Sequence, residues 1–141
     1  MTVKLWHCDG ARSLRPLWTL EEMGLNYELV KMQFPPRFLH PGYTELNPIG
    51  TVPSFTDDRE DRLTEMTESS GICQYLVETY GADDLTVRAS HPEYGEYLNW
   101  LYRSDATYTF PQTLVLRYSV LESEENRNCL LYTSPSPRDT R

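Results

Sequence analysis

The stretch "LNPIGTVPSF", Leu46 to Phe55, sets Pro53 where a buried strand begins. Proline lacks the backbone N–H that a sheet ladder uses and is kept out of sheet interiors. Its place at the mouth of a strand therefore means that something gains from a proline there. On its C-terminal side "VPSF" and "RLTEM" read as short strands separated by the polar "TDDRED", an arrangement suited to an antiparallel hairpin. From Ser69 the period becomes helical: Ile72, Leu76, Val77 and Tyr80 share one face, and Gly81 ends the run.

On the N-terminal side, "QFPPRFLHPGYTELN" (residues 33–47) holds three prolines and predicts an irregular loop with one helical turn. Before it, "YELVKM" reads as a strand, and Thr2–His7, "TVKLWH", as another. Between them Leu14, Leu17, Trp18 and Leu20 fall at helical spacing, with Ser13 as N-cap and Pro16 in the first turn, where a missing N–H is harmless. Gly24 stops this helix and Leu25 folds back onto it. The order is strand-helix-strand, loop, strand-strand-helix. A strand-helix-strand unit this short implies parallel pairing with a right-handed crossover, so the whole predicts a mixed sheet with helices on its faces.

Composition narrows the function classes. The 141 residues are 39% hydrophobic and 24% charged, the balance of a globular protein with one domain and part of a second. A net charge of −8, with Lys4 and Lys31 the only lysines, argues against nucleic acid or an anionic membrane as main partner. No apolar run approaches spanning length and no secretory leader pattern opens the chain. Cys8, Cys73 and Cys129 form neither a disulfide framework nor a zinc site, which fits a reducing cytoplasm. "DDRED" reads as a solvated turn without metal-site spacing.

Domain boundaries follow from the composition shifts. Residues 1–81 form the α/β unit, 82–90 a polar linker, and 91–128 the start of a helical domain. "SHPE", Ser90 to Glu93, fits a capping box, and Tyr94, Tyr97, Trp100, Leu101, Leu114, Leu116 and Tyr118 fit one long helix that Pro111 kinks or ends. Residues 129–141, "CLLYTSPSPRDTR", read as a Ser/Pro tail or, preferably, as a translated sequencing adapter. In that case the natural protein continues past Asn128. No function is placed on the tail.

"LNPIGTVPSF", "TESSGICQYL" and "GARSLRPLWTLEEMGLNYELV" together resemble the N-terminal domain of a cytosolic glutathione S-transferase, continuously from Thr2 to Tyr80. The resemblance implies a thioredoxin-like α/β domain followed by an all-helical one, incomplete here. It also implies a cis Val52–Pro53 bond, with the N–H and C=O of Val52 free to pair with the cysteinyl backbone of glutathione as an added strand would. By the same resemblance Thr51 lies beside the tripeptide, Ser69 and nearby amides hold the γ-glutamyl carboxylate, and Glu68 lies near its ammonium group. His40 and Arg37 stay outside the binding set.

Ser13 matches the thiol-activating serine of serine-type members and is the expected catalytic residue. A thiol of pKa near 8.5 is mostly protonated at neutral pH. A hydroxyl donor to the sulfur contributes roughly 1.5–3 kcal/mol and a helix N-terminus about 0.3–1, which together lower the pKa by roughly 1.5 to 3 units. Trp6 and His7 stand where tyrosine-type members need tyrosine. His7 reads as a strand-end residue and Cys73 as a core position, neither with a function. Arg12 adds positive charge near the thiolate. The implied protein is a cytoplasmic glutathione transferase acting on an electrophilic hydrophobic substrate, homodimeric through its third and fourth helices, using glutathione as co-substrate and no metal. The alternatives are a non-catalytic interaction module and a glutathione-dependent thiol reductase using Cys8. Tyr97, Trp100, Tyr102 and Tyr108 read first as helical core and second as an acceptor pocket.

Overall fold

The computed structural model describes residues 2–59 and 62–116, so the tail and the C-terminal end of the expected long helix lie outside the described residues. The described residues divide between Tyr97 and Leu98 into two compact units.

In the first unit the strands are β1 (Thr2–Cys8), β2 (Tyr27–Met32), β3 (Ser54–Arg59) and β4 (Arg62–Met66). They form a four-stranded sheet in the order β2-β1-β3-β4. β1 pairs with β2 in parallel, Leu5 opposite Leu29, and with β3 antiparallel, Leu5 opposite Phe55. Helices α1 (Leu14–Glu22) and α4 (Ser69–Tyr80) are joined to the sheet by the core of Val3, Leu5, Leu20, Phe55, Ile72 and Leu76, all buried. Alternation along β1 puts Trp6 and Cys8 on the opposite face, where Cys8, Met32, Tyr43 and Val52 make a second cluster. α1 ends as its sequence predicts: Gly24 takes φ +61° and its N–H reaches Glu21 O, while the N–H of Leu25 reaches Leu20 O.

Four local expectations are corrected. Residues 33–47 hold two helical turns rather than one, α2 (Pro36–Leu39) and α3 (Tyr43–Leu46), separated by Gly42 at φ +79°. Thr56 to Arg59 continue β3 instead of forming a turn, and Asp57 is fully buried on the face of Phe55 because the hydroxyls of Tyr75 and Tyr80 donate to its Oδ2 at 2.8 and 2.9 Å. The capping box at Ser90 gives way to α5 (Tyr94–Arg103), before which the N–H of Glu93 is taken by His91 Nδ1 at 3.2 Å. The expected long helix continues past Pro111, but with a π-helical segment, Ser104–Thr109, between α5 and α6 (Phe110–Leu116). There Ser104 Oγ donates to Leu101 O at 2.6 Å and Thr109 Oγ1 to Ser104 O at 2.5 Å, side-chain bonds that compete with the helical ladder.

The aromatic stripe is not core among the described residues. Trp100, Tyr102 and Tyr108 are each more than half exposed. Trp100 stacks on Tyr108 at 6.5 Å with the Arg103 guanidinium 5.0 Å from the Trp100 ring. Among the described residues no helix is long and apolar enough to cross a membrane.

Burial first, and the hydrogen bond to Asp57 second, push the Tyr80 hydroxyl from its ordinary 10 up to about 12. A group whose folded pKa is raised contributes stability that is complete below its unfolded pKa and lost as pH rises through the folded one. Urea midpoints are therefore expected to fall between about pH 10 and pH 12. Tyr80→Phe is expected to flatten that decline, and an unchanged slope in the variant would assign it elsewhere.

Candidate functional site

The ladder between β1 and β3 stops at Trp6 opposite Ser54, because the next residue toward the N-terminus of β3 is Pro53 and has no N–H to offer. The Val52–Pro53 peptide is cis, as is Phe34–Pro35. Val52 is 5% exposed, yet its backbone N–H and C=O have no hydrogen-bond partner among the described residues. Buried main-chain groups are nearly always paired, so this short unpaired edge is a candidate contact for an extended partner. The side chain of Val52 packs in the cluster with Cys8, with Ala11 against it, which brings the turn beside the end of β1 and the start of α1.

Thr51 is held from behind. Its carbonyl accepts the Tyr43 hydroxyl at 2.6 Å and Asn47 Nδ2 at 2.8 Å. Asn47, 2% exposed, also takes the N–H of Ile49 on Oδ1 at 3.2 Å and so fixes both ends of the turn. Gly50 adopts φ +68°, where a Cβ would stand 2.9 Å from that of Arg37. Arg37 thus packs under the turn, with its guanidinium 5.0 Å from the Phe38 ring, and His40 meets Tyr43 edge-on.

Glu68 is the N-cap of α4 and is exposed, with extended backbone and no side-chain capping bond. Its carboxylate is therefore not spent on the helix. Ser69 follows as the first helical residue, 1% exposed, and Arg15 Nη1 of α1 donates to its Oγ at 3.0 Å. With one lone pair engaged, the Ser69 hydroxyl keeps its hydrogen to donate, at the positive end of the helix and beside one cationic guanidinium. That combination favours a carboxylate.

Ser13 departs from expectation in two respects. Its backbone is helical, φ −62° and ψ −12°, instead of the extended conformation that lets an N-cap side chain turn back, and it makes no capping bond. It is also wholly buried, and its hydroxyl faces inward: Oγ lies 2.9 Å from His7 Nδ1, accepts the N–H of Cys8 at 3.2 Å and has the Cys8 carbonyl at 3.4 Å. A sulfur resting on the start of α1 would meet Ala11 and Arg12, both partly exposed, with Ser13 beneath them. His7, 5% exposed, places Nε2 3.3 Å from Asp9 Oδ1, and Asp9 Oδ2 pairs with Lys31 Nζ at 2.9 Å. The Lys31 hydrogen bond holds the Asp9 carboxyl below its usual range. Sequence reasoning missed both His7 and Asp9; the one signal available was that strand alternation puts His7 on the side of α1.

Cys8 is fully buried, its Sγ directed to the Gln33 carbonyl at 3.6 Å, and burial followed by the nearby Asp9 charge pushes its thiol up. An open depression of about 650 Å³ lies beside Asp9, lined also by Lys31, Met32, Gln33, Phe34 and Leu39. Cys73 is partly exposed, not fully buried as a core position would be.

Comparison with known proteins gives the family. A family model described as "Glutathione S-transferase, N-terminal domain" matches residues 1–78. Glutathione S-transferase 3 of Schizosaccharomyces pombe is 30% identical over 105 residues, 74% of this chain and 42% of that protein. Protein LigF of a Sphingobium species is 36% identical over 95 residues, 65% of this chain and 35% of that protein. The glutathione transferase URE2P6 of Phanerochaete chrysosporium, solved with oxidized glutathione, superposes with a TM-score of 0.73 at 29% identity, covering 86% of this chain and 56% of that one. The chain spans less than half the length of these two curated relatives. The sheet with its flanking helices is the thioredoxin-like domain of that family, and the helical part is only partly described.

Asn47→Ala is expected to lower stability by about 1–3 kcal/mol, since it strips the Thr51 carbonyl and the Ile49 N–H of a buried partner at once. Urea denaturation measures it. An unmoved midpoint would mean that Tyr43 alone holds the turn.

Proposed function

Because the chain belongs to the glutathione S-transferase family, we propose that it is the glutathione-binding part of a transferase that ionises the tripeptide's thiol for attack on an electrophilic hydrophobic substrate. The observation that carries this reading is the main chain of Val52, a donor and acceptor unpaired among the described residues at the end of an interrupted ladder. A cysteinyl residue laid antiparallel to it satisfies both groups at once.

The remaining parts follow from that register. The γ-glutamyl carboxylate reaches the start of α4, where Ser69 donates under the charge of Arg15, and Glu68 meets the ammonium group. The Thr51 side chain flanks the peptide while its carbonyl stays tied inward. The sulfur rests on the N-terminus of α1, over Ala11 and Arg12, with Ser13 and His7 below. That end of the helix carries the positive pole of its dipole, although the N–H groups of Leu14 and Arg15 are already bonded to the carbonyls of Ala11 and Arg12. Such a pole stabilises a thiolate by about 0.3–1 kcal/mol, up to about 2 in a partly buried setting.

Cys8 supports transfer over thiol reduction. A redox cysteine needs exposure and a lowered pKa, whereas Cys8 is buried with its pKa raised.

Retention on immobilised glutathione and calorimetric titration test the reading directly. Ser69→Ala, which removes a hydroxyl donor but leaves the helix start, is expected to weaken glutathione binding about 5- to 30-fold, the equivalent of about 1–2 kcal/mol. A chain that flows through the column and gives no heat with glutathione would remove the proposal.

A further inference from the structure

The imidazole of His7 is joined to two partners of opposite exposure. On one side stands Asp9, with a largely exposed side chain; on the other stands Ser13, with no surface at all. The hydrogen positions follow from the acceptor inventory. A carboxylate can only accept, so in the neutral imidazole Asp9 Oδ1 takes the Nε2–H, Nδ1 is the acceptor, and the hydrogen on Ser13 Oγ points at it across 2.9 Å. The Ser13 hydroxyl also has a second acceptor waiting, the Cys8 carbonyl at 3.4 Å. Its hydrogen therefore has two resting places, and the protonation of His7 decides between them.

We propose that His7 is a buried proton acceptor which places a positive charge beneath the bound sulfur when the thiol ionises, with Asp9 and Ser13 as its positioning partners. The inference rests on the glutathione reading above. In the step itself the S–H bond breaks and its proton leaves to water; His7 takes one proton from water and forms the Nδ1–H bond, so the complex keeps its proton count. The Ser13 hydrogen then swings from Nδ1 to the Cys8 carbonyl, and Oγ accepts from the new Nδ1–H. The product is a thiolate above the start of α1 and an imidazolium below it, held on its far side by Asp9. No electrons change hands.

The surroundings suit this exchange. At the level of His7 the ionisable side chains are Cys8 beside it on β1, Asp9 in the β1–α1 turn, Lys31 opposite it on β2, and Arg12 and Arg15 at the start of α1; β3 begins at uncharged Ser54 at this level. Lys31 is tied to the other oxygen of Asp9 rather than to His7, and keeps that carboxylate ionised through neutral pH. Asp9 borders the open depression, so the outer end of the chain of bonds is solvated while Nδ1 faces the interior.

The test follows protons on the full chain. Glutathione is titrated near neutral pH in two buffers of different ionisation heat, thiolate formation is read from its ultraviolet absorbance, and S-methylglutathione, which has no thiol proton, serves as the binding control. Wild type is expected to form thiolate with almost no net proton release. His7→Gln is expected to raise the bound thiol's pKa by about one unit, a tenfold loss of thiolate at a pH below that pKa, and to release close to one proton for each thiolate that still forms. Asp9→Asn, at an exposed position that does not endanger folding, is expected to give a smaller rise in the same direction. Ser13→Ala is expected to match it, while both leave S-methylglutathione affinity within twofold. Release of a full proton per thiolate by wild type, or a bound-thiol pKa unmoved in Asp9→Asn, would overturn the relay alone. Failure of S-methylglutathione to bind wild type would overturn the glutathione reading and the relay with it.

Discussion

The ladder between the two inner strands ends one residue earlier than its length allows, and the rest of the site is arranged around that ending. Pro53 has no N–H, so the pairing of β1 with β3 cannot pass Trp6 and Ser54. What lies beyond is main chain that a sheet would normally consume. Behind it, Asn47 and Tyr43 hold the Thr51 carbonyl, and Gly50 lets the chain pass close over Arg37, so the free edge is rigid without being paired. An edge of this kind recognises the backbone of a peptide, which is the one feature common to any ligand read as an added strand.

Two helix starts supply the charge. α4 presents Ser69 with an arginine from α1 on its oxygen, and α1 presents the positive pole of its dipole beside Ser13 and His7. Each arrangement favours an anion by the same means: oriented N–H groups reinforced by one cationic side chain or, at His7, by a group able to become cationic. A carboxylate at one and a thiolate at the other is the pairing that a γ-glutamyl thiol peptide offers. The bonds from Asp9 through His7 to Ser13 hold a buried imidazole between an exposed carboxylate and a buried hydroxyl.

Elsewhere the molecule accepts polar burial with less compensation. Asp57 lies under two tyrosine hydroxyls with its Oδ1 unpartnered among the described residues. The sheet tolerates it because both donors come from α4, so the carboxylate ties the helix to β3 as well as burdening the core. The cavity beside Asp9 and the exposed aromatic residues of the second unit were no part of the α/β core that the apolar pattern described.

Strand order, helix ends and the Val52–Pro53 turn were legible in the chain because they are local: alternation, a glycine at positive φ, and a proline without an N–H act within a few residues. The glutathione S-transferase resemblance rested on those same segments. What the sequence could not carry was direction. That Ser13 turns inward depends on a histidine six residues away in the chain and on the strand alternation that aims it, and that Asp57 is buried depends on tyrosines about twenty residues further on. A serine before a helix has the same sequence signature whether its hydroxyl faces solvent or core. Only the packing of β1 against α1 settled which, because hydrogen-bond partners distant in sequence exist only once the chain has brought them together.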